Sequence, residues 1–145
     1  MTTSYYSVIL DHDAGRVWEV IRDFNGLATW FSGAVSSSEI EDGRTGDSIG
    51  AVRRFRMGDA EIREKLLAMS DIECSYSYEF AEPKPFPVDG YVATLKVSPV
   101  GETGQSFVEW WTEFDAEPAE REHWERFFAD EVFAPALKAL AAHLS

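Results

Sequence analysis

Cysteine is almost missing from this chain: Cys74 stands alone among 145 residues. An internal disulfide is therefore excluded, and a lone thiol fits a reducing compartment. Cys74 falls on the apolar side of a strand-like run, so it reads as a core thiol and not as a nucleophile. Histidine is scarce too. His12, His123 and His143 share no metal-ligand spacing with one another or with Cys74, so no metal site is expected. Positive charge is short: 13 Lys and Arg face 26 Asp and Glu, a formal net charge of −13. That excludes the basic footprint that nucleic acid requires and opposes stable association with anionic membrane. No apolar run is long enough to span a bilayer, and the first residues lack the basic and apolar regions of a signal peptide. A cytoplasmic protein is the expectation. No glycine-rich phosphate loop or nucleophile elbow occurs, and nothing asks for a cofactor.

What the chain does have is rings. It is 45% hydrophobic and 14% aromatic, enough for one compact domain over residues 1–145 with a sizeable core or an apolar pocket. Strands are predicted at 4–10, 34–41, 49–57, 60–69, 72–80, 91–97 and 106–114. Asp11 and Asp13 are plausible caps for a short helix carrying Val17, Trp18, Val20 and Ile21, broken at Asn25-Gly26. A second helical turn follows at 27–31. Residues 81–87 hold three prolines and read as a loop. The chain closes with a helix over about 118–144, in which Pro135 removes one hydrogen bond. Sequential strands favour an antiparallel sheet, and the last helix must cover its apolar face.

One hairpin carries the most information. Gly58-Asp59 separates two strand-like runs, and glycine at the first central position suits a two-residue turn. The register then pairs Met57 with Ala60, Phe55 with Ile62, Arg53 with Glu64 and Ala51 with Leu66. That face is apolar except for Arg53 and Glu64, whereas the other carries Arg54, Arg56, Glu61, Arg63 and Lys65. A buried ion pair is a poor stabiliser, because desolvation can cancel its Coulomb gain. It could fix register beneath the helix, or it could form the polar end of a pocket where Arg53 meets a ligand carboxylate or carbonyl. A three-residue loop at 70–72 would set Glu64 across from Tyr78.

Three segments carry a resemblance: Gly50-Ala51-Val52-Arg53, Glu64-Lys65-Leu66, and Phe128-Ala129-Asp130-x-Val132 followed by Leu137 and Leu140. Trp110 and then Pro118 fit the approach to the last helix. In this order they resemble the START/Bet v 1-like helix-grip superfamily (SRPBCC), closest to bacterial polyketide cyclase/dehydrase-type proteins and the plant abscisic acid receptors. The resemblance implies an α+β helix-grip fold: a seven-stranded curved antiparallel sheet wrapped around a long C-terminal helix, with two short helices after the first strand. It implies an apolar cavity walled by Arg53, Phe55, Glu64, Tyr91, Phe128, Val132 and Ala136. Ile62 and Tyr78 join this set from the strand patterns. On the last strand, Val108, Trp110, Thr112 and Phe114 form the more apolar face, but the family match turns Trp111 toward the cavity, and that placement is adopted here. The gate loop and latch of the plant receptors are absent; Gly58-Asp59 and residues 82–87 stand in their places. Phe86 could tip a lid over the cavity mouth.

Two functions are consistent with this. The first is a carrier or sensor of a hydrophobic small molecule of lipid, polyketide or aromatic type. The second is a cyclase, dehydratase or aromatase in which Arg53 polarises a carbonyl and Tyr78 or Glu64 moves a proton. A glutamate clamped by arginine is expected to have a depressed pKa and to be a weak base, which favours binding. A homodimer is compatible with the sequence.

Overall fold

The computed structural model describes all residues, 1–145. Its strands are β1 (Thr2–Leu10), β2 (Val35–Ile40), β3 (Val52–Met57), β4 (Ala60–Ser70), β5 (Ser75–Phe80), β6 (Asp89–Val100) and β7 (Gln105–Asp115). They form one antiparallel sheet in the order β1-β7-β6-β5-β4-β3-β2. Helices α1 (Ala14–Ile21) and α2 (Leu27–Trp30) lie between β1 and β2, which occupy opposite edges of the sheet. Asp13 caps α1, its carboxylate accepting from the backbone N–H of Gly15 and Arg16. This is the expected helix-grip architecture.

Inward positions alternate as the pleat demands. Tyr91, Ala93, Leu95 and Val97 are buried on β6, and Ser106, Val108, Trp110, Thr112 and Phe114 on β7. The hairpin register is as read from the sequence: Arg53 pairs with Glu64 and Phe55 with Ile62. Gly58 takes φ +60° at the first central position of the turn, where a side chain would be strained.

Two local readings are corrected. The strand expected at 72–80 begins only at Ser75, because residues 71–74 form the turn between β4 and β5. The turn is held from outside: Asp71 accepts from Trp18 Nε1 at 2.8 Å and from Arg22 Nε at 2.9 Å. Ile72 consequently stands 94% exposed, and Cys74 sits half-buried at φ 51° with its thiol toward the Asp71 carbonyl. The longer turn and a bulge between Leu66 and Ala68 put Tyr78 opposite Leu66, and Phe80 opposite Glu64. Tyr78 still faces inward, because the two-residue offset preserves strand parity.

The C-terminal helix is not uniform. A 3-10 turn (Pro118–Glu120) leads into α3 (Arg121–Arg126), then a π-helical segment (Phe127–Phe133), then α4 (Ala134–Leu144). Pro135 cannot donate to the carbonyl four residues earlier. Just before it the helix widens, and the Ala134 N–H reaches the Ala129 carbonyl five residues back. From the end of the π segment onward the helix is well buried: the Phe133 ring stacks on Trp110 with centroids 4.8 Å apart, and Ala136, Leu137 and Leu140 are fully buried.

Candidate functional site

Where the π segment crosses the sheet, a gap remains. It is a cavity of about 250 Å³ lined by Leu27, Phe31, Val35, Arg53, Phe55, Met57, Ala60, Ile62, Glu64, Tyr78, Phe80, Phe86, Tyr91, Trp110, Phe127, Phe128, Glu131 and Val132. The hairpin β3–β4 supplies one wall through its apolar face. Residues 127–132 supply the roof, with Phe127, Phe128, Glu131 and Val132 on the wall. Phe86, from the proline-containing loop, packs on Phe127 and Phe128 with centroids 5.1 and 5.6 Å away. The wall is therefore almost wholly apolar, with Arg53 and Glu64 at its inner end and Glu131 exposed at the rim.

The inner end is a connected polar cluster. Arg53 Nε donates to Glu64 Oε1 at 2.9 Å, and Nη2 lies 2.7 Å from the same oxygen without the alignment of a hydrogen bond. Nη1 donates to the Phe24 carbonyl at 3.1 Å and to the Tyr76 hydroxyl at 3.4 Å. The guanidinium carbon is 4.1 Å from the Phe24 ring centroid and 4.8 Å from that of Tyr78. Arg53 thereby ties the bend between α1 and α2 to the middle of the sheet, and only 1% of it is exposed. Trp110 Nε1 donates to the Tyr78 hydroxyl at 3.1 Å.

Burial governs the protonation of this cluster. It pushes the Glu64 carboxyl above its ordinary value, and Arg53 offsets this only in part. The reason is visible in the bonding: the Arg53 contacts fall on Oε1, and no hydrogen bond reaches Oε2. The expectation of a depressed pKa is thus reversed, because it counted the charge partner and not the loss of water. Burial opposes the charge on Arg53, but Tyr76, Glu64 and Tyr78 outweigh it and hold the guanidinium protonated. Burial also raises Tyr76, Tyr78 and Tyr91, so these phenols stay neutral.

Of the residues expected at the site, Arg53, Phe55, Ile62, Glu64, Tyr78, Tyr91, Phe128 and Val132 line the cavity. Trp111 does not. The β6–β7 ladder runs without a shift from Val92 to Val100, which turns Trp110 inward and Trp111 outward, where it stacks on the half-exposed Tyr5. Alternation alone favoured Trp110. Ala136 is also displaced: it is fully buried in the solid part of α4, which packs on β1 and α2. Leu27, Phe31, Val35, Met57, Ala60, Phe80, Phe127 and Glu131 were not foreseen. For Met57, Ala60 and Phe80 the strand alternation was a usable signal, and Phe127 and Glu131 fall three and seven residues after Trp124 on the same helical stripe as Phe128 and Val132; Glu131 is missed because a charged residue does not mark an apolar wall.

Comparison with known proteins agrees with this geometry. The chain belongs to the family described as polyketide cyclase/dehydrase and lipid transport, whose model matches residues 1–145. It is similar to the solved structure of the protein XoxI from Bacillus cereus, at 30% identity and TM-score 0.84, covering 100% of this chain and 97% of that one. A structure from Thermobifida fusca is also 30% identical, with TM-score 0.86 over 97% of this chain and 91% of that one. Norcoclaurine synthase from Thalictrum flavum, solved with dopamine and hydroxybenzaldehyde, shares the fold at 16% identity and TM-score 0.78, covering 99% and 86% of the two chains. No curated protein matches the sequence.

Proposed function

We propose that this chain is a single ligand-binding domain that holds a compact hydrophobic small molecule between sheet and C-terminal helix, as a carrier or sensor. The observation that carries this reading is the cavity: apolar along its walls, polar only at its inner end and rim, and roofed by aromatic rings. Its volume of about 250 Å³ lies just below the usual range for drug-sized ligands, which favours a molecule of one or two rings over a long-chain lipid. Native mass spectrometry of freshly purified protein tests it. A retained apolar ligand, or saturable uptake of a two-ring aromatic, is the expected result. No uptake of any such compound sinks it.

A catalytic reading is favoured by one observation, the buried Glu64 with an oxygen that accepts no hydrogen bond. A carboxyl that burial holds above its ordinary value is a stronger base than a free one. With Tyr78 or Tyr91 to donate to a developing oxyanion, the cavity would suit a cyclisation or dehydration. Arg53 is too well covered to polarise a carbonyl directly. Product formation from candidate polyketones, abolished in a folded E64Q protein, is the test of this second reading.

A further inference from the structure

The charge arrangement at the inner end of the cavity specifies what the occupant must offer. Arg53 is 1% exposed, and its nitrogens are directed to Glu64, the Phe24 carbonyl and Tyr76. Its Nη2 makes no hydrogen bond, but it is sealed within the protein 2.7 Å from Glu64 Oε1, so no Arg53 donor is open to a ligand. Glu64 is different. Its side chain is 8% exposed, it lines the cavity, and its Oε2 accepts no hydrogen bond within the protein. This oxygen is not sealed within the protein and Glu64 lines the cavity, so an occupant that displaces water from it must supply a donor in its place.

Net charge decides which donor. Arg53 and Glu64 neutralise each other, so a charged occupant would leave one buried charge uncompensated. A carboxylate would also meet Glu64 at the inner end and Glu131 at the rim, the other acidic side chain on the wall. An ammonium group would be brought beside the buried Arg53. The remaining chemistry is a neutral O–H.

We infer that the cavity takes a neutral, hydroxyl-bearing apolar molecule, a phenol or alcohol of one or two rings, whose O–H donates to Glu64 Oε2, and that it discriminates against carboxylates. This rests on the reading of the cavity as a small-molecule site. It also reverses the anchor expected from sequence, since the ligand's polar end meets the glutamate and not the arginine.

Isothermal titration of the wild-type protein near neutral pH with naphthalene, 1-naphthol, 1-methoxynaphthalene and 1-naphthoate tests it, with quenching of tryptophan fluorescence as a second readout, because Trp110 is on the wall. The expected result is that 1-naphthol binds about tenfold more tightly than naphthalene or the methyl ether, the worth of a hydrogen bond to a charged acceptor, and that 1-naphthoate binds most weakly. The double variant R53M/E64L, which keeps the end wall apolar and leaves no charge unpaired, should retain naphthalene and lose the preference for 1-naphthol. Equal binding of 1-naphthol and its methyl ether, or tightest binding of 1-naphthoate, overturns the inference while leaving the cavity a binding site. Binding of none of the four overturns the small-molecule reading for compact aromatics, and this inference with it.

Discussion

Arg53 Nε donates to Glu64 Oε1 at 2.9 Å across the β3–β4 ladder, beside Phe24 of the bend between α1 and α2, and only 1% of the arginine is exposed. Removing one member of such a pair strands the other in low dielectric. Arg53→Met should cost about 3–5 kcal/mol, whereas R53M/E64L should recover most of that loss, since a well-packed apolar pair replaces a buried ion pair at little cost. Urea unfolding of the two variants measures this. If the double variant is no more stable than the single one, the lost bond to the Phe24 carbonyl matters more than the ion pair.

Stability should respond to pH in two opposite ways. Burial sets the folded-state pKa of Glu64 above the ordinary 4.5. Between those values the folded chain keeps a proton that the unfolded chain has released. This contribution is complete below the unfolded value and is lost as pH rises through the folded one. Glu41 acts in reverse. Arg63 donates to both its oxygens at 2.7 Å and lowers its pKa, so its contribution is present above the ordinary value and is lost as pH falls. Denaturation midpoints from about pH 4 to about pH 8 should show E64Q removing the decline on the rising side and E41Q flattening the acid side. A decline that survives in E64Q would assign it to another group.

Adjacent tryptophans should behave differently. Trp110 is buried against Phe133 and bonded to Tyr78, and Trp110→Ala should cost about 3–5 kcal/mol. Trp111 stacks on the outer-face Tyr5, and Trp111→Ala should cost about 1 kcal/mol, the worth of one aromatic pair. Thermal unfolding separates them; comparable losses would contradict the assigned parity of β7.

Phe86 lines the cavity and packs against Trp124, Phe127 and Phe128. Phe86→Ala should speed release of a bound aromatic probe on the order of tenfold, with little change in its association rate. Stopped-flow displacement reads this directly. Unchanged release would mean that ligand leaves by another route, for example past the hairpin tip at Met57 and Ala60.

Much of this protein was legible before folding because its signals are local. Gly58-Asp59 sets a turn, the turn sets a register, and the period of two then places Arg53, Phe55, Ile62 and Glu64 on one inward face. Charge on the opposite face says which side is wet. The order of elements and the motifs around Arg53, Glu64 and Phe128 pointed to the helix-grip fold for the same reason: each is a short-range pattern kept in sequence order.

Only the tertiary structure decided the rest. A four-residue turn clamped from outside by Trp18 and Arg22, and a bulge after Leu66, moved Tyr78 away from Glu64. Solid packing of α4 on β1 and α2 withdrew Ala136 from the cavity. Most consequential is the balance at Glu64. Sequence shows that an arginine stands opposite, but whether attraction or lost hydration governs the carboxyl depends on how completely the helix and aromatic rings exclude water, and that is a property of the packed molecule alone.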